Sequence, residues 1–108
     1  MYINRWEQRV NAGRVAEFVA YQRAFTEYVK RQPGFINRVL ARSTGEPARF
    51  RAWARWESQE ASEAAMAATE LAKLREAHRS GELATLVDGP FVYEGSPPHC
   101  GACASATR

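Results

Sequence analysis

Cysteine is almost absent from this 108-residue chain: Cys100 and Cys103 both fall in a C-terminal tail, with two residues between them. They cannot staple a core, so the fold has to rest on buried apolar surface. With His99 they offer zinc three soft ligands where a structural site wants four, and the segment reads as a flexible tail. Apolar runs long enough to cross a membrane are missing as well, which removes a membrane from the expected partners. The opening Met1-Tyr2-Ile3-Asn4-Arg5-Trp6 reaches charge too early for a secretory signal, and a cytoplasmic location is expected. Nor does one sign of charge dominate. The 15 basic and 12 acidic side chains leave a net +3 spread along the chain, a weak basis for holding nucleic acid, and none is expected. There is no Gly-rich phosphate loop and no closed ligand set, so neither a cofactor nor a metal site is expected.

What is present suits one soluble domain, since 45% hydrophobic and 25% charged residues argue against disorder over most of the length. The expected division is a folded domain over residues 1–95 and a tail over 96–108. Tyr2 to Val10 alternates, with Tyr2, Asn4, Trp6, Gln8 and Val10 on one side, and predicts a first strand. After the turn residues Asn11-Ala12-Gly13, a stripe of Val15, Phe18, Val19, Gln22, Phe25 and Val29 predicts a helix to about Arg31. Pro33-Gly34 stops it. Phe35 to Ser43 and Arg49 to Glu57 flank Thr44-Gly45-Glu46-Pro47 and predict an antiparallel hairpin. Ser58 is a candidate N-cap for a second helix that continues, broken, to about Arg79, and a last strand spans about Leu86 to Glu94 with a bulge at Asp88-Gly89-Pro90. The order β-α-β-β-α-β predicts an α+β, ferredoxin-like fold: an antiparallel four-stranded sheet with helices on one face.

Period-two counting puts Arg5, Glu7, Arg9, Arg38, Leu40, Arg42, Arg51, Trp53, Arg55, Glu57, Val92 and Glu94 on the face away from the helices. Solvent would suit the charges but not Trp53, Leu40 and Val92 among them. A second copy could cover the apolar groups and pair Arg with Glu, so a homodimer is expected.

Several residues on the helix-facing side could serve a ligand or simply fill space. Trp56, at a strand end, can stack on a flat molecule or pack in the core. Asn4 and Asn37, both assigned to that side, can satisfy a backbone group or point at a ligand. Trp6 and Phe50 share the same face. Tyr21 and Tyr28, seven residues apart on the first helix, carry phenols suited to a polyphenol or to the rim of the core. His78 is the sole histidine of the folded part, and histidine is the residue type suited to proton transfer near neutral pH; it could act as a general base or lie exposed at a helix end.

The strand Tyr2-Ile3-Asn4-Arg5-Trp6, the Gln32-Pro33-Gly34-Phe35 junction, and Trp56-Glu57-Ser58 followed by Glu60-Ala61 together resemble the antibiotic biosynthesis monooxygenase family over about residues 1–95. The resemblance implies a dimeric α+β barrel with a pocket between sheet and helices. It also implies a cofactor-independent monooxygenase that oxidises an aromatic polyketide-like phenol or anthrone with dioxygen in secondary metabolism. In that role Trp56 would stack on the substrate, Asn4 or Asn37 would hold its oxygens, and His78 would accept a proton, with Asn37, Tyr21, Tyr28, Trp6 and Phe50 as substrate-binding candidates. The quinone-forming members place an asparagine four residues before this tryptophan and a tyrosine six after it; here Ala52 and Ser62 stand there. The resemblance also embraces polyketide cyclases, which would use the same pocket without oxygen, and non-catalytic ligand-binding dimers. Heme-degrading members are embraced too, two of whose site residues Asn4 and His78 resemble.

Overall fold

Strand β1 (Tyr2–Val10) keeps its two-residue alternation throughout, burying Tyr2 and Val10 at its ends with Asn4, Trp6 and Gln8 on the same side. The computed structural model describes residues 1–94, with side chains to Gly89; the tail with its His99-Cys100-x-x-Cys103 lies outside the described residues. Helix α1 (Val15–Val29) buries Phe18, Tyr21, Gln22, Tyr28 and Val29 against the sheet. Strands β2 (Phe35–Arg42) and β3 (Arg49–Trp56) form the expected hairpin, and helices α2 (Gln59–Ala67) and α3 (Thr69–Ala77) are two pieces broken at Ala68, whose backbone is extended. A 3₁₀ turn at Ser80–Glu82 leads to strand β4 (Ala84–Glu94). The sheet order is β2-β3-β1-β4, antiparallel throughout, which is the ferredoxin-like α+β arrangement expected from the element order.

The two sequence junctions meet in space. Gly34 has a positive φ of 83°, a conformation that favours glycine. A Cβ placed there would lie 2.6 Å from the Ala61 Cβ, so α2 can approach this closely only because residue 34 has no side chain. The Gly34 carbonyl accepts the Glu57 N–H at 2.7 Å, and Ser58 caps α2 by accepting the Ala61 N–H at 3.1 Å. The Pro-Gly-Phe and Trp-Glu-Ser elements are therefore two halves of one contact.

The edge strands depart from simple alternation. In β2 the pairing runs from Phe35 opposite Trp56 to Asn37 opposite Arg55, so Ile36 is an extra residue and every later side chain changes face. Arg38, Leu40 and Arg42 pair with Ala54, Ala52 and Phe50 on the helix side, not on the outer face to which period-two counting assigned them. Asn37 is displaced the other way: it lies on the outer face and accepts a hydrogen bond from Arg55 Nε at 3.0 Å. Strand β4 also shifts register against β1 around Glu7, with Gly89 at φ 97°, as its Asp-Gly-Pro sequence suggested.

Apolar packing gathers in two clusters on the helix side. One holds Tyr2, Tyr28, Val29, Ala54, Trp56, Ala65 and Leu71; the other holds Val10, Phe18, Tyr21, Phe50 and Leu83. Phe25 and Leu74 touch both. On the outer face Glu7, only 6% exposed, accepts from Arg49 Nε and from Arg51 Nε and Nη2.

Candidate active site

Between sheet and helices the structure leaves a cavity with two lobes. The larger, of about 590 Å³, is walled by Trp56, Ala52, Ala54, Tyr2 and Val29, with the half-buried Asn4 and the buried Ser62 as polar groups. The smaller, of about 330 Å³, is bounded by Gln8, Tyr21, Gln22, Ser80 and Leu86. Trp6, Phe25, Arg38 and Arg75 line both lobes and mark where they meet.

Alternation on the regular strands explains most of this lining. Residues 50, 52, 54 and 56 of β3 share the inner face, and the small Ala52 and Ala54 leave open the space that larger side chains would occupy. Trp56, 1% exposed, is fixed edge-on against Phe35 with ring centroids 5.3 Å apart. Asn4 Nδ2 donates to Ser62 Oγ at 3.4 Å, a long contact that joins β1 to α2. Ala52 and Ser62, the two departures from the quinone-forming pattern, thus line the same lobe as Trp56 and Asn4.

The remaining sequence candidates divide. Trp6 lines the cavity, and Tyr21 does so from the smaller lobe. His78 caps α3 and packs its ring 5.8 Å from that of Tyr21, behind the cavity wall. Tyr28 is core: it is 2% exposed and donates its hydroxyl to the Ala65 carbonyl at 2.6 Å, and burial pushes its phenol pKa upward. Phe50 is also core, its ring tilted by 48° against that of Phe18 with centroids 4.9 Å apart. Asn37 lies across the sheet from the cavity, on the outer face with Arg55.

Arg38 is the cavity residue that sequence reasoning misplaced. Its guanidinium lies 4.7 Å from the centre of the Phe25 ring and 5.9 Å from that of Trp6, and burial lowers its pKa to about 10. A usable signal was Gln22, a polar residue inside the apolar stripe of α1; it is 3% exposed and its side-chain oxygen accepts from Arg38. Among the described residues no group of three or more His, Cys, Asp or Glu is placed to hold a metal ion, and no helix is long and apolar enough to cross a membrane.

The model of the antibiotic biosynthesis monooxygenase family matches residues 1–78. The fold is similar to that of SnoaB, a cofactor-independent oxygenase from Streptomyces nogalater, with a TM-score of 0.75 at 22% identity over 89% of this chain and 93% of SnoaB. A Deinococcus radiodurans protein assigned to the antibiotic biosynthesis monooxygenases gives a TM-score of 0.75 at 14% identity, over 90% of this chain and 94% of its own. A Nitrosomonas europaea protein with the same assignment gives 0.74 at 17% identity, over 90% and 91%. No curated protein matches the sequence.

Proposed function

We propose that this chain, which belongs to the antibiotic biosynthesis monooxygenase family, is a cofactor-independent monooxygenase acting on a fused-ring aromatic phenol or anthrone of polyketide type. The observation that carries this reading is the convergence of Trp56, Asn4, Ser62 and the small Ala52 and Ala54 on one aromatic-walled cavity of about 590 Å³, a size suited to a flat polycyclic molecule. Its neighbour SnoaB is itself a cofactor-independent oxygenase.

Removal of a proton from an anthrone methylene makes the ring electron-rich enough to reduce dioxygen. Recombination gives a ring peroxide, and loss of water leaves a carbonyl, so that one oxygen atom enters the product and the other departs as water. The protein has to bind the flat substrate, favour its anion and limit water. Trp56 and Trp6 supply aromatic surface, and Asn4 with Ser62 supplies hydrogen bonds to ring oxygens. The released proton is proposed to pass to His78, which packs against the Tyr21 that lines the smaller lobe.

A second copy of the chain is proposed to cover the outer face. There Val39, 41% exposed, stands opposite Trp53, beside the Glu7–Arg49–Arg51 cluster, so apolar surface and charges could both be met by the same face of a partner. Sedimentation of the wild type as a dimer, and of Val39→Glu as a monomer, would bear this out.

Oxygen uptake by metal-stripped protein, measured over a panel of anthrones and dihydroxynaphthalenes, tests the activity. Uptake above the uncatalysed rate, cut at least about tenfold in Trp56→Phe, supports the reading. Ring closure of a polyketide chain without oxygen consumption would make the protein a cyclase, and the absence of any turnover would leave a binding protein.

A further inference from the structure

Among the described residues Arg38 is held by neutral groups alone. Its Nη1 donates to Thr26 Oγ1 at 2.9 Å and its Nη2 to Gln22 Oε1 at 2.5 Å. The Thr26 hydroxyl donates in turn to the Gln22 backbone carbonyl at 2.9 Å, so its proton is committed and its lone pairs face the guanidinium. Two acceptors one helical turn apart on α1 therefore fix the orientation of the cation before any ligand arrives. Among the described residues no carboxylate forms an ion pair with it, and its other neighbours are the Phe25 and Trp6 rings. Of the other charged groups at the cavity, Arg75 adds a second positive charge, while the exposed Glu63 is engaged by Gln59 at 2.8 Å.

A half-buried cation without a counter-charge is costly, and a chain that needed only to fill this space could do so with an apolar side chain. The guanidinium has five N–H groups, and among the described residues its two acceptors engage two of them at the junction of the two lobes. We propose that Arg38 is the anion-holding residue of the cavity, and that the ligand it selects is a fused-ring aromatic bearing an ionised oxygen, either a ring carboxylate or a deprotonated ring hydroxyl. The proposal rests on the reading of the cavity as the substrate site and specifies what that substrate must carry. For a phenol or anthrone, the same contact would favour the anion that reacts with dioxygen.

The test is anaerobic binding, followed by quenching of tryptophan emission, of anthraquinone-2-carboxylate and of its neutral carboxamide, with a hydroxyanthraquinone titrated across its own ionisation as a third arm. The carboxylate should bind at least about tenfold more tightly than the carboxamide, the scale expected of charge-assisted hydrogen bonds. Arg38→Gln should abolish that preference. Gln22→Glu places a carboxylate where Arg38 already donates, so it should abolish the preference without removing the arginine and without lowering Tm. Tightening of the hydroxyanthraquinone as it ionises identifies ring oxygen as a source of the charge; its absence, with the carboxylate preference intact, restricts the ligand to carboxylates. Equal binding of carboxylate and carboxamide by the wild type, or a preference surviving both variants, overturns the proposal. An anion preference without oxygen uptake leaves the proposal standing and removes the oxygenase reading. Oxygen uptake without an anion preference does the reverse, and failure of the wild type to bind any of the three ligands overturns the proposal while oxygen uptake decides the oxygenase reading.

Discussion

On the outer face of the sheet, Arg49 and Arg51 converge on Glu7, and Arg5 lies 3.7 Å from Asp88. On the inner face, Arg38 donates, among the described residues, to the neutral oxygens of Thr26 and Gln22 and lies against the Phe25 and Trp6 rings. The same side chain is used in two ways. Where an arginine meets a carboxylate of its own chain, its charge serves the fold and any surface that later covers it. An arginine kept in a cavity without such a partner retains its electrostatic capacity for whatever enters.

This contrast can be broken by substitutions that separate stability from ligand binding. The largest loss of stability should come from the inner wall: Trp56→Ala removes a fully buried indole, and denaturant unfolding should show a cost of about 4 kcal/mol. Gly34→Ala should cost about 3 kcal/mol in the same measurement, because residue 34 is at positive φ and its new Cβ would meet that of Ala61. Neither effect depends on charge, and both set the scale for the arginine variants.

Glu7→Gln should lower Tm by less than these two, leaving Arg49 and Arg51 without their carboxylate while the preference for anionic ligands stays as in the wild type. The two guanidiniums hold the Glu7 carboxyl below its ordinary 4.5. Its contribution to stability is therefore complete above about pH 4.5 and is lost as pH falls through the lowered folded-state value. Thermal unfolding followed from neutral pH downward should show that acid-side loss in the wild type and a shallower one in Glu7→Gln. Ser58→Ala, which removes the α2 cap, should cost about 1 kcal/mol at any of these pH values.

Much of the architecture was legible because the central strands β1 and β3 alternate without interruption and because Pro33-Gly34 and Ser58 mark where chain direction changes. The N-cap at Ser58, the broken second helix and the bulge in the last strand all follow from local chemistry of that kind. The face assignment of β2 failed for an equally local reason. Phe35-Ile36 and Val39-Leu40 are adjacent apolar pairs that fit either phase, so nothing in the strand itself reveals the extra residue at Ile36. One unpaired residue exchanged Asn37 for Arg38 in the cavity. Trp56, Asn4, Trp6 and Tyr21 were legible as cavity candidates. Tyr28 and Phe50 were not distinguishable from them, since an aromatic on the inner face reads alike whether it borders empty space or fills it. Gln22 within an apolar stripe was the clue to a buried polar partner, and only the fold identified that partner as Arg38.

Arginine side-chain Nε–H signals, observed by NMR while anthraquinone-2-carboxylate is added, address the two faces within one experiment. The Arg38 signal should shift with ligand occupancy while those of Arg49, Arg51 and Arg55 stay in place. A ligand that shifts the outer-face arginines and leaves Arg38 unmoved would contradict it.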